Sequence, residues 1–69
     1  MALNYYYNYA EIDSATNMCI GVYTMTSEAT NPTFVAIPVY DEDYITKYYI
    51  NGAWYEDAEG TIPWQSSLI

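Results

Sequence analysis

The sequence has no histidine and no arginine, one lysine (Lys47) and one cysteine (Cys19), against nine acidic side chains in 69 residues. Each shortage excludes something. A lone cysteine closes no intramolecular disulfide, and without histidine or a second cysteine no zinc site of the common kinds forms. A single lysine leaves almost nothing to neutralise phosphates, so neither nucleic acid nor an anionic membrane is an expected partner. Without histidine the usual general base is missing, and Ser14, Ser27, Ser66 and Ser67 have only Lys47 or a carboxylate to activate them; the chain is expected not to be an enzyme. Carboxylate pairs for glycoside hydrolysis can be drawn from Glu11, Asp13, Asp41 or Glu56, but any acidic chain supplies such pairs. No apolar run approaches the roughly 20 residues of a membrane span, and Met1-Ala2-Leu3-Asn4 lacks the basic start and apolar stretch of a signal peptide. Synthesis in a cytosol is the expectation.

A chain this short buries only about 60% of the surface its unfolded form exposes, and below roughly 70–80 residues one core seldom supplies more than a few kcal/mol. With no staple, stability has to come from good local packing or from a partner. The formal charge of −8 is a deficit of basic residues on an ordinary acid count, given that about 25% of an average domain is charged. What is abundant is aromatic: 13 residues, ten of them tyrosine. A disordered acidic tail would be poor in these.

The chain reads as one domain over residues 1–69, without linker or repeat. In residues 4–11, Tyr5, Tyr7 and Tyr9 recur at spacing two, which predicts a strand with Tyr6, Asn8 and Ala10 on its other face. Asp13 to Asn17 is a turn, and Met18 to Met25 is a second, β-branched and aromatic strand, giving a hairpin with a loop of about five residues. Gly21 inside it marks a bulge or a place where a tyrosine ring lies over the backbone. Residues 26–33 form a loop closed by Asn31-Pro32, and Phe34 to Ile37 is a short strand stopped by Pro38. Asp41 to Thr46 fits one helical turn with Asp41 as N-cap. Asn51-Gly52, between Lys47–Ile50 and Ala53–Glu56, predicts a two-residue hairpin with a type I′ turn. Asp57 to Gly60 turns again before Pro63-Trp64. The expected fold is all-β, a small antiparallel sheet of about five short strands with one short helical turn.

Asp41, Glu42 and Asp43, or Glu56, Asp57 and Glu59, supply the oxygens a calcium ion needs, but neither group has the spacing of a calcium loop. Capping and turn solvation account for both, so no metal or cofactor is expected. Cys19 between Met18 and Ile20 reads as a small buried hydrophobe. The aromatic residues are divided between packing within the chain and contact outside it, because tyrosine and tryptophan combine large area with a polar tip. The interface candidates are Tyr5, Tyr7, Tyr9, Tyr48, Tyr49, Trp54, Tyr55 and Trp64. Such rings also serve as platforms for sugars.

The block from Ile37 to Glu56, with Ile12-Asp13, Cys19-Ile20-Gly21-Val22 and the Asn51-Gly52-Ala53-Trp54 hairpin, resembles small proteins encoded among phage tail-fibre and baseplate genes. Residues 54–64 are similar to the termini of phage fibre and fibre-assembly proteins. The resemblance implies a virion structural or attachment component, contacting other virion proteins or copies of itself, and carries over no catalytic residue. Two other readings are open: an acidic anti-defence inhibitor that mimics nucleic acid in a basic groove, and a module that binds host-surface carbohydrate.

Overall fold

A computed structural model of the chain describes residues 6–69. Asn4 and Tyr5, at the start of the first expected strand, lie outside the described residues. The elements are β1 (Tyr7–Ile12), β2 (Cys19–Met25), β3 (Phe34–Ile37), a 3-10 turn (Glu42–Tyr44), β4 (Tyr48–Ile50) and β5 (Ala53–Tyr55). The fold is all-β, with five short antiparallel strands and one helical turn. The strands divide between two sheets, ordered β2-β1-β3 and β4-β5.

β1 pairs on both sides, so Ala10 lies between Val22 and Val35, and Tyr9 between Tyr23 and Ala36. Residues directly opposite share a face. Ala10, Val22, Val35 and Ile37 therefore point one way, and with Ile12, Cys19 and Tyr44 they make the core. Tyr7 and Tyr9 point the other way. Ala10 is fully buried in the middle strand, and Tyr49, Trp54 and Trp64 pack against the core cluster it belongs to. From Tyr7 to Ala10 the sequence pattern assigns residues to the two faces correctly, but it does not say which face is the core.

The β1–β2 turn is held by Asp13: its carboxylate accepts from the amide of Ala15 at 2.9 Å, its carbonyl from that of Asn17 at 2.7 Å, and its own amide donates to Met18 O. Asn17 takes a left-handed φ of 67° there, a conformation asparagine tolerates well. Pairing then slips: Glu11 faces Gly21 but Ile12 faces Cys19, leaving Ile20 as the extra residue of a bulge. Both expectations for Gly21 hold, because the Tyr23 ring also lies over it, with the phenol oxygen 2.8 Å from where a Cβ would stand.

The bulge bends β2 so that its first residues join the second sheet. The Cys19 amide donates to Lys47 O at 2.8 Å, its carbonyl accepts from the amide of Thr46 at 2.9 Å, and the amide of Tyr49 donates to Asn17 O. Asn51 (φ 51°) and Gly52 (φ 83°) form the two-residue turn of the β4–β5 hairpin, as Asn-Gly predicts. Along the far side of β5, Glu56 donates to Ile62 O and Trp64 to Trp54 O. Pro63, opposite Tyr55, falls between those two bonds, where a missing N–H costs nothing. The segment 62–64 is thus an added edge ribbon, a pairing that the sequence pattern does not predict.

Candidate interaction surface

Four of the rings expected at an interface, Tyr9, Tyr49, Trp54 and Trp64, fall into two internal clusters. On the outer face of the first sheet, Tyr23 from β2 and Phe34 from β3 meet above the middle strand, stacked at 5.5 Å and 5°. Tyr9 tilts against Phe34 at 6.0 Å, and its hydroxyl oxygen accepts from the amide of Ala29, bringing loop 26–33 over the ring. That lid leaves Tyr9 only 8% exposed. The Tyr23 hydroxyl donates to Glu11 Oε1 at 2.9 Å, and the nearby carboxylate pushes the phenol pKa up.

In the second cluster Tyr44 sits edge-on to both Trp54 and Trp64, each with ring centres 4.8 Å away, while Tyr49 tilts against Trp54 at 5.0 Å. Offset and edge contacts are the preferred geometries of such rings. Burial among them pushes the Tyr44 pKa up, with a smaller push from Asp41. The Lys47 ammonium lies 5.1 Å from the centre of the Trp64 ring, so the only cationic side chain of the sequence is engaged in a cation–π contact. Tyr44 is not among the candidates from sequence, since its place inside an acidic run reads as a solvated turn.

Of the candidates, Tyr5 lies outside the described residues, Tyr9 is buried, and Tyr7, Tyr48, Tyr49, Trp54, Tyr55 and Trp64 are half-buried. Among the described residues, the exposed large apolar groups are others: Tyr6, Ile20, Tyr23, Tyr40, Ile62, Leu68 and Ile69. Two of these, Leu68 and Ile69, have no periodicity or motif that could have singled them out.

Three of the nine carboxylates serve the chain's own turns. Asp41 caps the 3-10 turn by accepting from the amide of Asp43 at 2.9 Å and takes the hydroxyl of buried Ser66 on its other oxygen. Asp57 takes the amides of Thr61 and Ile62, each at 2.9 Å, and the Thr61 hydroxyl. These donors hold both carboxyls below the usual range, the Ser66 hydroxyl leading for Asp41 and that of Thr61 for Asp57. Asp13 is the third. Cys19 is fully buried, its thiol donating to Gly21 O at 3.2 Å, and burial pushes its pKa up. A thiol so placed packs as a small hydrophobe.

Two open concavities lie among the described residues. One, of about 170 Å³, lies at the end of the first sheet between Tyr6, Tyr7, Tyr9, Ala36 and Pro38. The other, of about 250 Å³, opens between the first sheet and β4, beside Ile12, Val35 and Tyr49. Both are below the roughly 300–1,000 Å³ of small-molecule pockets. No described helix is long and apolar enough to cross a membrane, and no group of three or more His, Cys, Asp or Glu among the described residues could hold a metal. The chain matches no protein-family profile, no curated protein and no solved structure.

Proposed function

We propose that the chain is a non-enzymatic structural protein that works by association, a component of a phage virion such as a tail fibre, a baseplate or a head decoration. The observation that carries this reading is the pairing of an uncharged sequence stretch with exposed aliphatic side chains. Between Asp13 and Asp41 the chain carries one charge, Glu28, and after Glu59 it carries no charged side chain. In those stretches Ile20 is 48%, Leu68 60% and Ile69 62% exposed. Scattered surface aliphatics are ordinary. Here they occur on a chain too short for an ample core, which gives association a stability to add.

Mimicry of nucleic acid is supported less well, because Asp13, Asp41 and Asp57 turn toward their own backbone rather than forming an outward file of charge. Carbohydrate recognition has one observation in its favour, the exposed Tyr6 beside the cleft between Tyr7 and Pro38. Sedimentation of the isolated chain, together with analysis of purified particles, tests the leading reading. Self-association or incorporation into particles is the expected result; a stable monomer with no copies in particles would overturn it. Glycan binding that disappears in Tyr6→Ala would favour the carbohydrate reading.

A further inference from the structure

We infer that Asn51 is a site of spontaneous deamidation, converted by the Gly52 backbone nitrogen and water, and that the folded β4–β5 turn holds the reaction back until the hairpin opens.

The chemistry needs a following residue whose nitrogen is free to attack. That nitrogen, giving its proton to a base in solution, adds to the asparagine Cγ; the new C–N bond closes a five-membered succinimide and ammonia leaves. Water then opens the ring. Cleavage at Cγ gives aspartate, whereas cleavage at the main-chain carbonyl gives isoaspartate, in which the chain runs through the former side chain. A side chain on the attacking residue obstructs closure, and proline has no N–H to give. Asn4, Asn8, Asn17 and Asn31 precede Tyr5, Tyr9, Met18 and Pro32, and Asn51 alone precedes a glycine. Asn51 and Gly52 are both exposed. A Cβ at residue 52 would meet no atom within 4 Å, and among the described residues the Gly52 amide has no backbone partner. Base and water therefore reach it.

The turn opposes closure by its shape. Asn51 at φ 51° and Gly52 at φ 83° fit the central positions of a type I′ turn, which sets the ψ of the first at about +30°. At that ψ the Gly52 nitrogen lies nearly opposite Cβ across the Cα–C bond of Asn51. Ring closure needs the two on the same side. The peptide unit between residues 51 and 52 must first rotate, and that rotation breaks the pairing of Ile50 with Ala53 that the turn closes. The reactive form is thus an opened hairpin. A modification slower than opening and closing proceeds in proportion to the opened fraction. Opening is resisted by Trp54, which faces Tyr49 across the hairpin and packs on Tyr44, and by the Glu56 and Trp64 amides bonded along β5.

The isoaspartate product does not return to the starting turn. It puts one more atom into the backbone between Ile50 and Ala53 and adds a carboxylate at the tip, so the two-residue connection no longer fits its register. Conversion is therefore a one-way step that loosens the second sheet and the aromatic cluster it carries.

The test keeps full-length chain in mildly alkaline buffer, with and without denaturing guanidinium chloride, and samples it over time. Mass spectrometry of peptides locates each converted asparagine, and chromatography separates isoaspartate from aspartate. In denaturant Asn51 is expected to convert ahead of the other asparagines. In buffer it is expected to convert more slowly by at least about tenfold, the ratio reached once opening costs about 1.4 kcal/mol. Tyr49→Ala leaves Asn51-Gly52 intact and removes a ring that holds Trp54; it is expected to convert faster than the natural chain in buffer and at the same rate in denaturant. The isoaspartate form, isolated by its added charge, is expected to melt below Asn51→Asp, which has that charge on an unaltered backbone. Another asparagine converting first in denaturant, or none converting, would overturn the site. Equal rates at Asn51 in buffer and denaturant, or no acceleration by Tyr49→Ala in buffer, would overturn the restraint by the turn. An isoaspartate form that melts with Asn51→Asp would overturn the loosening of the second sheet.

Discussion

Gly21 and Tyr23 show how one missing side chain sets the position of another. A Cβ at residue 21 would stand 2.8 Å from the Tyr23 hydroxyl oxygen, closer than real contacts allow, and a tight 3.1 Å from the ring carbon bearing it. Gly21→Ala therefore displaces the ring, breaking its bond to Glu11 and its stack on Phe34. A stacked pair contributes about 0.5–1.5 kcal/mol beyond its area, so a loss of about 1 kcal/mol is expected, seen as a fall in melting temperature of roughly 4–8 °C. In a Tyr23→Ala background the same substitution should be neutral or stabilising, because alanine suits a strand better than glycine once the space is free. Equal penalties in both backgrounds would show that the bulge backbone, not the ring, demands glycine. Asp41 and Asp57 give a second residue-level expectation, one of pH. Both folded pKa values are lowered by donated hydrogen bonds. A carboxyl lowered on folding adds stability above its unfolded pKa of about 3.9, and the contribution disappears as pH falls through the folded value. Stability is thus expected to be level from pH 7 to 5 and to fall below about pH 4. Dilute protein in about 1 M salt, where the Debye length is about 3 Å, removes the competing repulsion among the other acids. The double variant Asp41→Asn, Asp57→Asn should be less stable at pH 7 with a shallower acid limb; parallel limbs would place the acid sensitivity elsewhere.

Among the elements, the β4–β5 hairpin separates backbone from packing most cleanly. Gly52 has φ +83°, and a Cβ at this position would meet no atom within 4 Å. Gly52→Ala therefore carries only the backbone cost of a left-handed residue, about 1–2 kcal/mol. Because Trp54 and Tyr49 face each other across this hairpin and Trp54 packs on Tyr44, the loss should appear in the global melting transition. A variant that melts like the natural chain would mean the turn has switched to another type. Asn51-Gly52 is also the most legible feature of the sequence, followed by the Asp41 cap and the Asp13 turn. Each is a local device, whose residues touch partners a few positions away. The inner face of β1 is not legible, since tyrosine occupies both parities in residues 5–9 and its amphipathic ring suits either side. Nor is the division into two sheets. It depends on where β2 bends at Ile20 and on Thr46 and Lys47 meeting Cys19, pairings that leave no period in the sequence. Ser66 and Tyr44 escape sequence reasoning on the same ground: a serine in a polar tail and a tyrosine in an acidic run acquire their roles only when residues 41 and 66 are brought together.

At the scale of the molecule, charge and apolar surface act against each other, and salt decides the balance. The net charge of −8 opposes the approach of copies, while exposed aliphatic side chains such as Ile20, Ile62 and Leu68 favour it. Raising ionic strength shortens the Debye length from about 10 Å at 0.1 M to about 3 Å at 1 M. The repulsion is then screened, whereas burial of aliphatic groups is not weakened. Self-association is therefore expected to strengthen as sodium chloride rises over that range, by at least several-fold in the association constant measured by sedimentation. The opposite sign has a definite meaning. A protein that occupies a basic groove through its carboxylates binds more weakly as salt increases, since its attraction is Coulombic. Measuring both quantities on one preparation, self-association and capture of a basic partner such as polylysine, separates the two mechanisms by the direction of their salt slopes. Association that falls with salt would place the working surface among Glu42, Asp43, Glu56 and Glu59 and away from the exposed aliphatic side chains. Association that rises with salt would tie it to the exposed aliphatic side chains.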